Sequence, residues 1–236
     1  NEIHPIPFSK RATILTYIWA SKKDLNLFMR AQSKNIRVLV VGCGNMGASH
    51  AMAYKMLDGV EICGIVSTGS SKEVLNQKLG GGYPLYSEYD EALEATQPDA
   101  VCISTYPDTH EQFAILALEK GCHVFIEKPL ADSVSGAERV AAAAKKAGKK
   151  LVVGYILRHH PSWEKFIELA RQLGKPLVMR MNLNQQSHGL MWNVHRNLMK
   201  SLSPFVDCGV HYIDVMCQMV RSKPVQVSAI GARLTN

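Results

Sequence analysis

From residue 36 onward, short apolar runs alternate with longer amphipathic stretches. Each apolar run is rich in β-branched residues and predicts a buried strand, whereas each stretch with apolar residues three and four positions apart predicts a helix. Strands are predicted over 36–42, 60–66, 99–105, 122–127 and 150–155, with a short one near 83–86. Strands that alternate with helices are typical of a parallel sheet with crossover helices. We therefore predict a doubly wound α/β domain of the Rossmann type over 36–155.

The pattern changes after residue 155. The chain there predicts a helix over 160–174, a strand over 175–186 and a long polar loop over 185–203. A second helix over 203–220 and a second strand over 224–234 follow. These elements predict an α+β domain over 156–236. Two strands make only a small sheet, whose open edge exposes unpaired backbone groups. We therefore expect this second domain to be truncated.

The first 35 residues differ in character from the rest. A basic start at Lys10 and Arg11 precedes a short apolar segment and Ala20, as in a secretory signal peptide. The segment is too short to cross a bilayer, and Met29 lies just ahead of the first predicted strand. We favour an N-terminal extension over 1–35, with a signal peptide as the alternative. The remaining sequence predicts no transmembrane helix, so we expect no membrane partner.

Composition narrows the functional classes. The 236 residues are 47% hydrophobic, as in ordinary globular proteins, and the formal net charge is +7. The basic residues are spread along the chain except at 145–150, where lysines suit the end of a helix, so we expect small anionic ligands and no nucleic acid. The six cysteines form no C-x-x-C pair, and no cysteine or histidine has structural zinc spacing. We predict free thiols, no metal and a cytoplasmic location.

The first predicted strand runs into the glycine-rich segment GCGNMG at 42–47. In the G-x-G-x-x-G spacing, Gly42 permits a tight turn, Gly44 lets the backbone approach a pyrophosphate, and Gly47 lets the next helix pack closely on the strand. The backbone N–H groups of Asn45 and Met46 begin that helix, where a positive dipole end favours phosphates. Because the segment lies at a strand-to-helix turn, it predicts a dinucleotide site.

The end of the second strand bears on the choice between NAD and NADP. An acidic residue ~20 positions beyond the glycines would bind the ribose 2′-hydroxyl of NAD, but Glu61 opens this strand instead of ending it. Ser67 and Thr68 end it, and hydrogen-bond donors follow as far as Lys72. Such a set suits a 2′-phosphate, so NADP is slightly favoured over NAD. A simple polar turn is the alternative.

Four motifs together resemble one known family, that of glucose-fructose oxidoreductase and inositol dehydrogenase, often called Gfo/Idh/MocA. They are GCGNMG, STYPDTH, EKPLA and DCGVHYID, in the family's order and at similar distances. The resemblance runs from about residue 36 to the last residue. It implies a Rossmann domain followed by a substrate domain, an NAD(P) cofactor and a sugar or polyol substrate.

The resemblance also implies roles for individual residues. Glu127, Lys128 and Pro129 match the family's E-K-P motif, in which Glu127 and Lys128 line the cofactor and Lys128 reaches both nicotinamide and substrate hydroxyl. Asp207 and His211 match residues that contact the substrate, the histidine commonly being the proton acceptor.

Two further groups of residues follow from the same resemblance. Thr105, Pro107 and His110 match the loop that lines the cofactor. Tyr155 and Arg158 lie where the first domain meets the second and are predicted to bind the substrate.

The residues themselves support part of this chemistry. Asp207, His211 and Asp214 are spaced to share one face of a helix, and histidine titrates near neutrality, so His211 suits a proton acceptor. Lys128 follows a strand, at the edge where open α/β sheets bind ligands. The alternatives are a structural His211 paired with Asp214 and a surface lysine at 128.

We therefore predict an NAD(P)-dependent oxidoreductase that moves a hydride between the cofactor and a secondary alcohol of a sugar or cyclitol, using Lys128, Asp207 and His211. Two alternatives stay open: a catalytically silent dinucleotide-binding or regulatory protein, and an NAD-dependent glycoside hydrolase. The sequence is compatible with a homo-oligomer.

Overall fold

The computed structural model describes residues 35–183, 188–200 and 202–231. The chain divides into two compact units, which meet between Gly154 and Tyr155. The proposed N-terminal extension falls, apart from residue 35, outside the described residues.

The first unit contains one parallel sheet of six strands with the order β3-β2-β1-β4-β5-β6. Its strands are β1 Ile36–Val41, β2 Val60–Val66, β3 Leu85–Tyr86, β4 Ala100–Ile103, β5 His123–Ile126 and β6 Leu151–Val153. Its helices are α1 Asn45–Lys55, α2 Ser71–Lys78, α3 Tyr89–Thr96, α4 Pro107–Glu119 and α5 Val134–Ala147. This order is that of the Rossmann fold, so the predicted fold class of the first domain is confirmed.

Helices cover both faces of this sheet, which explains why the central strands are apolar at almost every position. Leu39 and Val41 of β1 point into a core shared with α3, α4 and α5. Val38 and Val40 point to the opposite face, into a core shared with α1 and α2. All six cysteines of the chain are free thiols.

In its described part, the second unit consists of helices and irregular segments. A 3₁₀ turn at Ile156–Arg158 leads into α6 Pro161–Gln172; α7 Gly189–Leu198, a π-helical turn at Phe205–Gly209 and α8 Val210–Val220 follow. Helices α6 and α8 share a small core of Ile167, Ala170, Val215 and Met219. No described helix of either unit has the length and apolar character needed to cross a membrane.

Three predictions for the second unit are wrong within the described residues. Residues 175–183 and 224–231, the described parts of the two predicted strands, join no sheet. A strand needs a neighbour for its backbone hydrogen bonds, and the side chains of Val178, Val225 and Ile230 are almost fully exposed. The predicted polar loop contains α7, because residues 190–199 include no glycine or proline that would break a helix.

The core packing of α5 generates a prediction with a matched control on the same helix. Val140 is 0% exposed and Val134 is 78% exposed. Val140→Ala removes two buried methyl groups and should lower the free energy of unfolding by about 2 kcal/mol, whereas Val134→Ala should change it by no more than about 0.5 kcal/mol. Urea denaturation followed by circular dichroism measures both values. Equal effects of the two substitutions would contradict this packing.

Candidate cofactor and active site

The glycine turn between β1 and α1 has little room for side chains at two of its three glycines. Gly42 has a φ of +92°, and a Cβ built there would lie 2.5 Å from the carbonyl oxygen of Ser104. A Cβ on Gly47 would lie 1.8 Å from the carbonyl oxygen of Gly42. A Cβ on Gly44 would meet nothing within 4 Å. The fold therefore requires glycine at positions 42 and 47, whereas Gly44 leaves open space in front of the backbone.

The same turn fits an anionic ligand. Gly44, Asn45 and Met46 are exposed, and among the described residues no side chain caps the first N–H groups of α1. Uncapped N–H groups at a helix N-terminus attract phosphate. Burial raises the pKa of the Cys43 thiol to about 11, so this side chain stays uncharged at neutral pH and does not repel an anion. The turn thus fits the pyrophosphate of a dinucleotide.

The residues after β2 form a polar cluster around one lysine. The hydroxyl oxygens of Ser67 and Ser71 are 2.8 Å apart. Lys72 Nζ donates to the carbonyl oxygen of Ser67 at 2.9 Å and to the hydroxyl of Ser87 at 3.2 Å. Thr68 is exposed beside this cluster. The lysine is thereby held at the tip of the strand, where its Nζ also lies 3.8 Å from Oε1 of Glu73.

The segment after β4 is held by a buried histidine. His110 is 0% exposed; its Nδ1 lies 2.7 Å from the carbonyl oxygen of Pro129, and its Nε2 lies 3.2 Å from that of Thr105. Burial lowers the pKa of His110, and a neutral imidazole donates from only one nitrogen. We assign the proton to Nδ1 because that contact is shorter.

The other two predicted residues of this segment differ in accessibility. Thr105 is half-buried, and its hydroxyl lies 2.7 Å from that of Thr109. Pro107 is buried at the first position of α4, where its missing N–H costs nothing. Pro107 and His110 are therefore buried residues that support the loop, and Thr105 is the most accessible of the three predicted residues.

Glu127 and Lys128 follow β5, and the glutamate is engaged inside the protein. Glu127 is 6% exposed. Its Oε1 lies 2.8 Å from Nε2 of His50, and its Oε2 accepts the backbone N–H of Lys128 at 3.2 Å. Lys128 is half-buried. Sequence reasoning missed His50, whose only signal is its place one helical turn after Gly47.

The four segments of the first unit meet at one edge of the sheet. The glycine turn, the Ser67 cluster, the Thr105 loop and the Glu127–Lys128 segment each follow the carboxyl end of a parallel strand. In doubly wound sheets this edge binds ligands where the strand order reverses, here between β1 and β4. The structure therefore brings together the predicted cofactor residues of the first unit.

The second unit gathers another set of predicted residues. Arg158 Nε donates to Asp214 Oδ2 at 2.8 Å, and its guanidinium carbon lies 5.1 Å from the centre of the Tyr155 ring. The Tyr155 and His211 rings lie edge to face, with centres 6.3 Å apart. Asp214 holds the pKa of Arg158 above its usual value, mainly through this hydrogen bond. Asp214, considered above as a partner of His211, thus forms an ion pair with Arg158.

Asp207 occupies a different local structure from the one predicted. It is 8% exposed and belongs to the π-helical turn that precedes α8. A wider turn changes the angle between successive side chains, so the spacing of an uninterrupted α-helix does not apply from Asp207 to His211. Single π-helical turns are often found at functional sites.

Comparison with known proteins supports the assignment of the first unit. A family model described as an oxidoreductase family with an NAD-binding Rossmann fold matches residues 36–155. A 4-carboxy-2-hydroxymuconate-6-semialdehyde dehydrogenase from Sphingobium sp. is 31% identical over 68% of this chain and 54% of its own. Inositol 2-dehydrogenase from Klebsiella pneumoniae is 26% identical over 77% of this chain and 53% of its own. The chain thus spans about half the length of these curated relatives.

A solved structure agrees with these matches. The enzyme GenD2 from gentamicin A biosynthesis, solved in complex with NAD, is 30% identical and superposes with a TM-score of 0.55. The match covers 58% of this chain and 39% of that one.

Two glycines of the turn give a prediction that separates folding from ligand binding. Gly44→Ala fits the existing space and an extended backbone, with φ of −72°, so the melting temperature should be unchanged while the Kd for NAD(P)H rises by about tenfold or more. Gly47→Ala places a Cβ against backbone and should cost about 3 kcal/mol or more of stability. Thermal unfolding and fluorescence titration measure the two effects. Unimpaired binding by Gly44→Ala would show that no ligand approaches this turn.

Proposed function

The chain belongs to the Gfo/Idh/MocA oxidoreductase family with an NAD-binding Rossmann fold, and we propose that it transfers a hydride between NAD(P) and a secondary alcohol of a sugar or cyclitol. The observation that carries the proposal is the position of Lys128, at the same sheet edge as the glycine turn that fits a dinucleotide. The name of the related inositol 2-dehydrogenase supports a cyclitol. A small polyol is accordingly the proposed partner.

The proposed chemistry needs one group to accept the hydroxyl proton of the alcohol and another to stabilise the alkoxide that remains. When bound, the nicotinamide supplies the hydride acceptor. The Lys128 ammonium group stabilises negative charge on the substrate oxygen as it loses its proton. His211 accepts that proton, and Asp207 orients the hydroxyl group. In the reverse direction His211 returns the proton to the oxygen of the carbonyl substrate.

We further propose that NADP is preferred over NAD. The support is the cluster around Lys72, whose ammonium group donates to the carbonyl oxygen of Ser67 and to the hydroxyl of Ser87 at the tip of β2. The residues that end the strand, Ser67 and Thr68, are not acidic, although the Glu73 carboxylate on α2 lies 3.8 Å from Lys72 Nζ. A carboxylate at this tip would favour the 2′-hydroxyl of NAD, whereas an ammonium group and hydroxyls suit a 2′-phosphate.

The catalytic roles are tested by Lys128→Ala and His211→Ala. Losing the alkoxide-stabilising charge should lower kcat by about 10²-fold or more, and losing the proton acceptor by about 10²–10⁴-fold, while both variants still bind cofactor. Absorbance at 340 nm reports turnover of NAD(P) over a panel of inositols and sugars. Lys120→Ala, which removes an exposed lysine paired with Glu94, is the control and should retain full activity.

Two results would contradict the catalytic proposal. Unchanged turnover in either variant would remove that residue from the mechanism. Cofactor binding by the parent chain without turnover of any substrate would favour a catalytically silent dinucleotide-binding protein.

The cofactor preference is tested by Lys72→Ala. We expect the Kd for NADPH to rise by about tenfold, the size of one charge-assisted hydrogen bond, and the Kd for NADH to change much less. Lys78→Ala, on the exposed end of the same helix, controls for the loss of one positive charge. A parent chain that binds NADH more tightly than NADPH would refute the preference and make the cluster a polar turn.

A further inference from the structure

His50 lies on α1, one helical turn beyond the last glycine of the turn, and contacts the segment that carries Lys128. Its Nε2 is 2.8 Å from Glu127 Oε1. Its ring packs edge-on against Phe125 of β5, with centres 4.7 Å apart. The imidazole therefore joins α1 to the end of β5 by both a polar and an aromatic contact.

Glu127 uses both carboxylate oxygens inside the protein. One oxygen meets His50 and the other accepts the backbone N–H of Lys128. Gly154 leaves just enough room for this carboxylate, because a Cβ built there would lie 3.0–3.1 Å from its atoms. A buried carboxylate is costly unless hydrogen-bonded, so these donors hold the carboxylate in one place.

The residue after Lys128 is anchored from another helix. His110 of α4 contacts the carbonyl oxygen of Pro129 at 2.7 Å. The backbone of Lys128 thus lies between two residues, Glu127 and Pro129, each of which contacts a histidine from a different helix. Lys128 itself is held through its N–H group.

We propose that His50 and Glu127 form a positioning pair that orients Lys128 for the reaction, with Glu127 acting through Lys128 and not by touching the cofactor. The proposal rests on the proposed function, in which the Lys128 ammonium group meets the substrate oxygen. Without the hydrogen bond from His50, the Glu127 carboxylate changes its position and no longer accepts the backbone N–H of Lys128. A misplacement of about 1 Å at a reacting group costs about 10²-fold in rate.

Two substitutions at His50 separate its hydrogen bond from its packing. His50→Gln keeps an N–H donor and loses the aromatic ring, whereas His50→Phe keeps a ring against Phe125 and loses the donor. We expect His50→Phe to lower kcat by about 10- to 100-fold with little change in cofactor Kd, and His50→Gln to restore most of the rate. Gly154→Ala, which crowds the carboxylate, should lower kcat in the same way.

A second readout does not depend on turnover. In protein labelled with ¹⁵N-lysine, the Lys128 amide can be assigned by its loss in Lys128→Arg, and its hydrogen exchange measured by NMR. Because this amide donates to Glu127, we expect exchange to accelerate by about tenfold in His50→Phe and to stay near the parent rate in His50→Gln. His123→Gln, which removes a histidine from the other end of β5, is the control and should change neither kcat nor Lys128 exchange.

The outcomes distinguish the two proposals. If the parent chain turns over no substrate, the proposed function fails, and Lys128 exchange alone decides whether the positioning pair exists. Unchanged Lys128 exchange in His50→Phe overturns the pair. Equal losses in His50→Gln and His50→Phe also overturn it, because they would show that ring packing and not the hydrogen bond holds the segment.

Discussion

Helix α1 can begin where it does only because Gly47 has no side chain. A Cβ at this position would overlap the carbonyl oxygen of Gly42, and no rotation of a side chain relieves a clash at Cβ itself. The close approach directs the first N–H groups of α1 toward the open space at Gly44. It also places His50, one turn further along, within hydrogen-bond distance of Glu127. One backbone constraint therefore serves both the phosphate site and the segment that carries Lys128.

The edge of the sheet is held together largely by polar contacts between segments. His110 ties α4 to Pro129, and His50 ties α1 to Glu127. Such contacts are directional, whereas the apolar packing beneath them is not. The two cores set the distance between helices and sheet, and the hydrogen bonds then orient the loops that project from them. Residues that look like ligand contacts in a motif can thus act one step away from the ligand.

The sequence predicts the first unit well because its signals are local. Apolar runs such as 36–41 and the helical periodicity between them need no knowledge of distant residues, and every predicted strand of the first domain is present. The strand predictions for the second unit are wrong because a strand needs a neighbouring strand from elsewhere in the chain for its backbone hydrogen bonds. Val225 and Ile230 have the right composition, but no described partner strand pairs with their segment.

In the candidate site too, the sequence predicts the local features but not the contacts between distant residues. The glycine spacing predicts the cradle because its mechanism operates within six residues. The partners of Glu127, Arg158 and His110 lie 77, 56 and 19 residues away along the chain, so no local pattern reveals them. The resemblance to a family implies that Glu127 lines the cofactor and that His110 belongs to the loop that lines it, and the structure shows that each side chain also contacts another part of the protein.

The proposed phosphate site uses backbone groups, whereas the proposed catalytic groups are side chains. The proposed phosphate cradle is formed by the glycine turn and the first N–H groups of α1, all of which lie in the first unit. The proposed proton acceptor, His211, lies in the second unit near Tyr155, and Lys128 depends on side-chain contacts for its orientation. Cofactor affinity is therefore a useful control, because an unchanged Kd in a variant that has lost turnover indicates that the proposed cradle is intact.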